Sequence, residues 1–263
     1  MKYLPINCDL FIHNRSLLND KLKDDSIAIL NSNDIMPTNS DGTMPFKQNS
    51  DLFWATGIDQ EESVFAIIKR NNTTSEFLFV KETNELIAIW EGAKLSKELA
   101  TKTSGIKNIF WLHEMDDVLS KEISSVSTIY LNKNIHSRAA KIVQTRDDRY
   151  RKHIKDSFPT KKIEEIAPIM HALRCVKSSS EIELMQKACD ITEKGLRRIL
   201  PLIKPGIMEY EIEAELMHEF LSNRSNGFAY QPIIGSGSDS CVLHYIENNK
   251  QCKDGDVLLM DFG

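Results

Sequence analysis

The sequence predicts two consecutive domains, an α/β N-terminal domain with a mixed sheet and an α+β C-terminal domain. In the N-terminal part, short β-rich runs alternate with helical patterns, which is typical of an α/β domain. In the C-terminal part, two helical patterns come before three strand-like runs, which favours an α+β arrangement. Phe158-Pro159 ends the last N-terminal helix, so we place the domains at residues 1–165 and 166–263.

The elements of the N-terminal domain follow from local composition and spacing. β-branched and aromatic runs predict strands at residues 27–30, 64–68, 77–80, 87–90, 109–112 and 128–131. Amphipathic patterns predict helices near residues 94–101, 115–123 and 137–155. Residues 31–57 are rich in Asn, Ser, Asp, Pro and Gly and carry no period, so we expect a long structured loop there.

The C-terminal domain is predicted to begin with a long amphipathic helix. Ser180-x-x-Glu183 has the pattern of a capping box, and apolar residues continue at helical spacing to about Leu200. A second helix carries several glutamates, Glu209 among them, that we expect to face mostly outward. Its expected inward-facing residues are Tyr210, Ile212, Leu216 and Phe220. Strands are predicted at residues 229–234, 241–246 and 257–262.

The charge balance argues against nucleic-acid and membrane partners. The chain has 33 Lys and Arg against 38 Asp and Glu, a formal net charge of −5. This mild acidity gives no electrostatic reason to bind nucleic acid or an anionic membrane. Acidic residues are mixed into the Lys- and Arg-rich residues 141–162, so we interpret that stretch as a solvated helix face. No apolar run approaches the length of a membrane span.

The cysteines and the N-terminus predict a cytoplasmic protein. The chain has five cysteines, an odd number, and none of them forms a Cys-x-x-Cys pair. We therefore expect reduced thiols rather than a disulfide framework or a zinc site. The first residues lack the apolar segment of a secretory signal peptide.

His244 and Asp261 are the candidate residues for chemistry. His244 lies within a predicted strand and is expected to point opposite to Leu243 and Tyr245. Asp261 follows four apolar residues at the end of a predicted buried strand, where a charge is costly unless it is paired or holds a cation. Together they would combine a carboxylate ligand for a hard divalent cation with a histidine that stabilises a tetrahedral intermediate. A hydrogen-bonded core histidine and a structural carboxylate that caps a turn remain open as alternatives.

Motifs along almost the whole chain are similar to those of the Xaa-Pro aminopeptidase (aminopeptidase P) family. In the N-terminal part, the similar stretches are residues 46–57 and Ile89-Trp90-x-Gly92. In the C-terminal part, they are Arg174-x-x-Lys177-Ser178-x-x-Glu181-Ile182, Pro205-Gly206-x-x-Glu209-Tyr210-Glu211, Gly235-Ser236-Gly237, and residues 241–249 and 254–261. Because these motifs occur in the family's order, the resemblance covers both predicted domains.

The resemblance implies a fold and an activity. The C-terminal part would be an incomplete pita-bread (creatinase/aminopeptidase-like) domain. The activity would be hydrolysis of the bond between an N-terminal residue and a following proline, so the partner would be a peptide that begins Xaa-Pro. The family uses two bridged divalent metal ions, usually manganese, which are held by two Asp, one His and two Glu. A homodimer or homotetramer is expected.

The resemblance also implies roles for three residues of this chain. Asp261 matches the first metal-binding aspartate. His244 matches a histidine that is not a metal ligand but contacts the substrate or the tetrahedral intermediate, which makes it the catalytic candidate. Trp90 matches a tryptophan that reaches the active site of a neighbouring subunit in tetrameric members, and is therefore a candidate substrate contact. A plain packing aromatic is the alternative for Trp90.

In the family, the second metal-binding Asp comes about ten residues after the first, and the remaining ligands lie farther on. In the present numbering, all of these ligands would follow residue 263, whereas Asp261 is the only one within the given sequence. The sequence therefore predicts a catalytically incomplete chain that binds no metal tightly by itself, since one carboxylate cannot hold two ions. Two other functions stay open. One is a prolidase, which cleaves only dipeptides, although Asn49-Ser50-Asp51 favours the aminopeptidase. The other is a non-catalytic binding or assembly protein on the same fold.

Overall fold

The computed structural model describes residues 2–139 and 142–263 and separates into two compact units. One unit is Ile6–Val176, and the other is Lys177–Gly263 together with the residues before Ile6. Each unit has its own hydrophobic core. The domain boundary between residues 165 and 166 stays a prediction.

The first unit is built on a mixed sheet, as the sequence predicts. Its strands are β1 (Ser26–Asn31), β2 (Val64–Arg70), β3 (Thr73–Val80), β4 (Asn108–Trp111), β5 (Thr128–Leu131) and β6 (Lys162–Glu165). In the described part of the chain they form one six-stranded sheet in the order β4-β3-β2-β1-β5-β6. The pairs β1–β2 and β2–β3 are antiparallel, whereas β1–β5, β3–β4 and β5–β6 are parallel.

Helices cover both faces of this sheet. They are α1 (Cys8–Lys21), α2 (Ser50–Thr56), α3 (Glu85–Glu91), α4 (Lys97–Ser104), α5 (Met115–Ser124), α6 (Arg146–Ser157) and α7 (Ala167–Cys175). Ile27 and Ile29 of β1 pack into the cluster that holds residues of α5 and α6. Ala28 and Leu30 of the same strand pack into the cluster on the opposite face, with residues of α1, α2 and α7. This alternation is the two-residue period of a strand that is buried on both sides.

Local capping explains two differences from the predicted elements. The apolar run at residues 87–90 was predicted to be a strand, but it lies in α3, where the Asn84 side chain accepts a hydrogen bond from the N–H of Ile87 at 2.8 Å. Residues 31–57 were predicted to be a loop, but they contain α2. The Asn49 side chain caps the start of α2, and Gly57 ends the helix with a left-handed φ of 69°.

Two further differences lie near the end of the first unit. The helix predicted over residues 137–155 begins only at Arg146, after a capping box formed by Thr145 and Asp148. Residues 140 and 141 of that predicted helix lie outside the described residues. The edge strand β6 was not predicted, because Lys162–Glu165 holds only one apolar residue.

The second unit has two helices and a small sheet. α8 (Ser179–Ile199) and α9 (Glu209–Ser222) pack together, and β7 (Ile233–Ser236) pairs antiparallel with β8 (Leu258–Asp261). The core contains Ile199, Ile212, Leu216, Phe220 and Ile234. Gly195 allows α9 to approach α8 closely, since a Cβ at this position would lie 2.7 Å from the Phe220 ring.

Three details of the second unit correct the sequence predictions. The capping box of α8 is formed by Ser178 and Glu181 rather than Ser180 and Glu183. Tyr210 is exposed rather than inward, whereas Glu209 is fully buried rather than outward. Residues 241–246 are not a strand; a 3₁₀ helix (Gly237–Cys241) runs into a turn there. The Ser240 hydroxyl, which donates to the Gly237 carbonyl at 2.7 Å, favours this tight local winding over an extended chain.

Candidate functional site

Asp261 is the last residue of β8, and its side chain is exposed at the surface of the second unit. Its register partner across the ladder is Ile233 of β7. The Asp261 side chain is exposed, not buried as the apolar run before it had suggested, because β8 is only half-buried along its length. Its Oδ1 accepts a hydrogen bond from the Tyr230 hydroxyl at 2.6 Å. This bond to the carboxylate, together with burial, raises the pKa of Tyr230.

His244 lies in a turn rather than in a strand. The N–H of Tyr245 donates to the Val242 carbonyl at 3.4 Å, so Leu243 and His244 are the central residues of the turn. The strand alternation predicted for this segment is wrong, since Leu243 is exposed and Tyr245 is buried. His244 is exposed as well, which excludes the alternative of a core histidine. Its imidazole is therefore accessible from outside the unit.

A buried carboxylate next to this turn was missed by the sequence analysis. Glu209, the first residue of α9, is fully buried, and its carboxylate accepts hydrogen bonds from Ser236, Tyr245 and the Lys250 N–H. Burial alone would raise the pKa of Glu209, but these hydrogen bonds outweigh it and the pKa is lowered. Burial, and then the bond to Glu209, raises the pKa of Tyr245 to about 12. The carboxyl is thus ionised and the phenol neutral at neutral pH.

The spacing of α9 contained a signal for this burial. Glu209 precedes Ile212, Leu216 and Phe220 by three, seven and eleven residues, which places it on the buried face of the helix. Charge alone had suggested an outward position. A glutamate on the apolar side of a helix needs partners, and here the structure supplies them.

Asn248 fixes the chain that returns from the turn. It is buried and has a left-handed φ of 44°, a conformation that Asn tolerates better than most residues. Its Oδ1 accepts from the Ile234 N–H at 2.9 Å, and its Nδ2 donates to the Pro232 carbonyl at 3.0 Å and to Glu213 at 2.8 Å. The segment after His244 is thereby tied to both β7 and α9.

Trp90 lies in the first unit, on α3. None of the residues of this helix is buried, and Trp90 is 79% exposed. Leu86 and Ile89 are exposed on the same side, at the spacing of one helical face. Trp90 is therefore available for contact with another molecule and is not a packing aromatic within its own unit.

Asp261 has the side-chain chemistry of one ligand in a divalent-cation site. Asp261 supplies carboxylate oxygen, the ligand type that hard divalent cations prefer. Within residues 2–139 and 142–263, however, no group of three or more His, Cys, Asp or Glu side chains is placed to hold a metal ion. Among the same residues, no helix has the length and apolar character needed to cross a bilayer.

Two family models match the two parts of the chain in order. Residues 11–130 match the aminopeptidase P N-terminal domain, and residues 183–263 match metallopeptidase family M24. An Xaa-Pro aminopeptidase from Escherichia coli is 28% identical over 256 residues, which are 96% of this chain and 58% of that protein. The Xaa-Pro aminopeptidase from Haemophilus influenzae is 28% identical over 225 residues, 86% of this chain and 50% of that protein. The chain spans about half the length of these curated relatives.

Solved structures are similar over the whole chain. A candidate aminopeptidase P from Bacillus anthracis superposes with a TM-score of 0.91 at 30% identity, over 98% of this chain and 62% of that one. The low-pH form of E. coli aminopeptidase P gives a TM-score of 0.85 at 26% identity, over 99% of this chain and 60% of that one. These matches confirm the predicted fold class. The chain therefore belongs to the aminopeptidase P family, and carries its N-terminal α/β domain followed by part of a pita-bread M24 metallopeptidase domain.

Proposed function

We propose that this chain is the N-terminal portion of a metallo-aminopeptidase that releases the first residue from peptides with proline in the second position. The observation that carries the proposal is the presence of both family domains, in order, in one chain. The exposed positions of His244 and Asp261 in the second unit support it. Several apolar side chains of that unit are also exposed, which is consistent with a surface that packs against more of an M24 domain; they include Ile182, Leu243 and Val257.

Asp261 would hold one of two divalent cations, which we propose to be manganese. Its place at the end of a strand gives a ligand a rigid support. When bound, such cations supply Lewis-acid activation of water and of the scissile carbonyl. The Tyr230 hydroxyl, 2.6 Å from Oδ1, would orient the carboxylate so that its other oxygen faces outward. Further ligands would have to come from outside the residues described here.

His244 would bind the oxygen on which negative charge develops. An imidazole N–H that donates to this oxygen stabilises the transition state more than the ground state. Proline adds a specificity problem, because the bond to its nitrogen has no N–H for a protease to bind. A pocket shaped for the proline ring must replace that contact. Trp90 is our candidate for a substrate contact supplied by a second copy in a homodimer or homotetramer.

We also propose that the protein is cytoplasmic. The five cysteines are free in the structure, which supports a reducing, cytoplasmic location.

A prolidase would share the metals and His244 but would accept only dipeptides. A binding or assembly protein on the same fold would bind no pair of metal ions.

A substrate panel separates these functions. The protein to assay, called here the extended protein, is this chain joined after Gly263 to the remaining part of an M24 domain. An Xaa-Pro aminopeptidase releases the first residue from Xaa-Pro-Yaa in the presence of manganese and leaves Xaa-Ala-Yaa uncut. Cleavage of Xaa-Pro dipeptides alone would identify a prolidase. Absence of cleavage at full metal loading would refute both enzymes.

The metal part of the proposal can be tested on the 263-residue chain itself. One carboxylate ligand gives a weak site, so we expect calorimetry at micromolar concentrations to show no stoichiometric manganese binding. Tight binding of one or two ions would mean that the described residues form a more complete site than Asp261 alone provides.

A further inference from the structure

We infer that Glu209 is a positioning residue that holds the turn carrying His244 in place. The inference rests on the proposed function, because His244 matters only if it contacts the substrate. Its basis is one fully buried carboxylate that accepts four hydrogen bonds from three different places in the second unit.

The first carboxylate oxygen holds the start of the segment. Oε1 accepts from the backbone N–H of Ser236 at 2.7 Å and from its hydroxyl at 2.6 Å. Ser236 is the last residue of β7, directly before the 3₁₀ helix. The chain therefore leaves the sheet from a point that is fixed to the first turn of α9.

The second carboxylate oxygen holds the end of the same segment. Oε2 accepts from the Tyr245 hydroxyl at 2.7 Å and from the Lys250 N–H at 2.9 Å. The Glu209 N–H in turn donates to the Lys250 carbonyl at 3.0 Å. Tyr245 directly follows His244, so the anchored ring lies one residue from the imidazole.

The segment thus leaves Glu209 at Ser236 and returns to it at Tyr245. Between these residues, the Val242 N–H donates to the Asp239 carbonyl at 3.0 Å and closes the 3₁₀ helix. Asp239 also forms an ion pair with Lys250, which ties the middle of the segment to the same anchor. The segment has little freedom left except at the exposed tip, where Leu243 and His244 lie.

Charge explains why a glutamate is used. An ionised carboxylate can accept four hydrogen bonds and donates none, which matches the four donors that surround Glu209. Glutamine at this position would direct its amide N–H groups at two of those donors. The substitution Glu209→Gln would therefore keep the size of the side chain but would release Ser236 or Tyr245. Glu209 acts only through the backbone and Tyr245, and it need not touch the substrate.

Histidine NMR of the 263-residue chain tests this inference without requiring activity. The variants are Glu209→Gln and Tyr245→Phe, with Glu215→Gln as the matched control. Glu215 is on the same helix and has the same charge, but it pairs with Arg198. His244→Gln assigns the His244 resonance, and the exposed His218 on α9 reports whether the unit remains folded.

We expect the His244 resonance to shift in both test variants while His218 keeps its wild-type position, and we expect no shift in the control. Where Glu209→Gln releases Tyr245, the double variant should shift His244 no more than Glu209→Gln alone, since both changes then break the same hydrogen bond. If Glu209→Gln unfolds the unit, Tyr245→Phe decides, because it keeps the ring and three of the four donors.

An unchanged His244 resonance in folded Tyr245→Phe, or an equal shift in Glu215→Gln, would overturn the inference. Failure of the proposed function has a separate sign, namely no cleavage of Xaa-Pro-Yaa by the extended protein.

Discussion

Asp147 should make the first unit less stable as the pH rises. It is the second residue of α6 and accepts a hydrogen bond from Asn31 Nδ2 at 2.9 Å. Burial raises its pKa from 3.8 to about 6, although the bond from Asn31 opposes the rise. Because the folded state disfavours the ionised form, the cost of ionising Asp147 is absent at low pH. It grows between about pH 4 and pH 6 and then stays constant.

The size of this effect follows from the two pKa values. A rise from 3.8 to about 6 corresponds to at most about 3 kcal/mol of unfolding free energy at high pH. About half of that cost is already present at pH 5, so roughly 1.5 kcal/mol remains to be lost between pH 5 and pH 8. The N-terminal end of α6 stabilises a nearby carboxylate, which makes these figures upper values.

The perturbation is Asp147→Asn, which keeps an oxygen that can accept from Asn31 but removes the charge. Tryptophan fluorescence during urea unfolding reports on the first unit alone, since Trp54, Trp90 and Trp111 all lie within Ile6–Val176. We expect the stability of the variant, relative to wild type, to increase by up to about 1.5 kcal/mol from pH 5 to pH 8.

A matched control is available at the next residue. The backbone and hydroxyl of Thr145 lower the pKa of Asp148, so its contribution is lost only when the pH falls below the range of the experiment. Asp148→Asn should therefore differ from wild type by a constant amount between pH 5 and pH 8. A constant difference for Asp147→Asn as well would refute the burial argument.

Three other substitutions test contacts inside each unit: Arg15 lies in the first unit, and Asn248 and Gly195 lie in the second. Arg15→Lys should destabilise the first unit by about 2–4 kcal/mol in the fluorescence assay. The reason is that the buried Arg15 guanidinium donates to the carbonyls of Ala55 and Ser104, at the ends of α2 and α4, at 2.9 Å. A loss of less than about 1 kcal/mol would contradict this prediction. Asn248→Ala should cost about 2–3 kcal/mol, since it leaves buried backbone groups unpaired, and hydrogen exchange in β7 should rise. Gly195→Ala should cost about 1–3 kcal/mol in circular-dichroism melts, and Phe220→Leu in the same chain should recover part of that loss; equal melts for Gly195→Ala and wild type would mean that α8 and α9 are not in tight contact.

The sequence predicted the central strands well because their burial leaves a simple pattern. β1, β2 and β5 are apolar on both faces and bounded by polar turns, so composition alone located them. The edge strand β6 escaped because an edge needs few apolar residues. α3 was mistaken for a strand because its apolar run is short, and only the capping Asn84 and the closing Gly92 indicate a helix.

In the candidate site, the sequence pattern identified residues, but contacts between residues distant in sequence decide their positions. The strand pattern and the buried-charge argument singled out His244 and Asp261, the family resemblance implied their roles, and the structure then showed that both are exposed. The shape of the segment around His244 could not be read from local propensity, because a buried contact distant in sequence decides it: Tyr245 turns inward to Glu209, 36 residues earlier. Charge alone had suggested that Glu209 was exposed, although helical spacing placed it beside Ile212 and Leu216.

The proposed division of roles between Asp261 and His244 is tested most directly by measuring metal content and turnover together in the extended protein. If Asp261 is a metal ligand and His244 is not, Asp261→Asn should lose bound manganese and activity together. His244→Ala should keep near wild-type metal content while turnover on Xaa-Pro-Yaa falls by roughly two to three orders of magnitude. Loss of metal in His244→Ala, or full metal content in Asp261→Asn, would contradict this assignment.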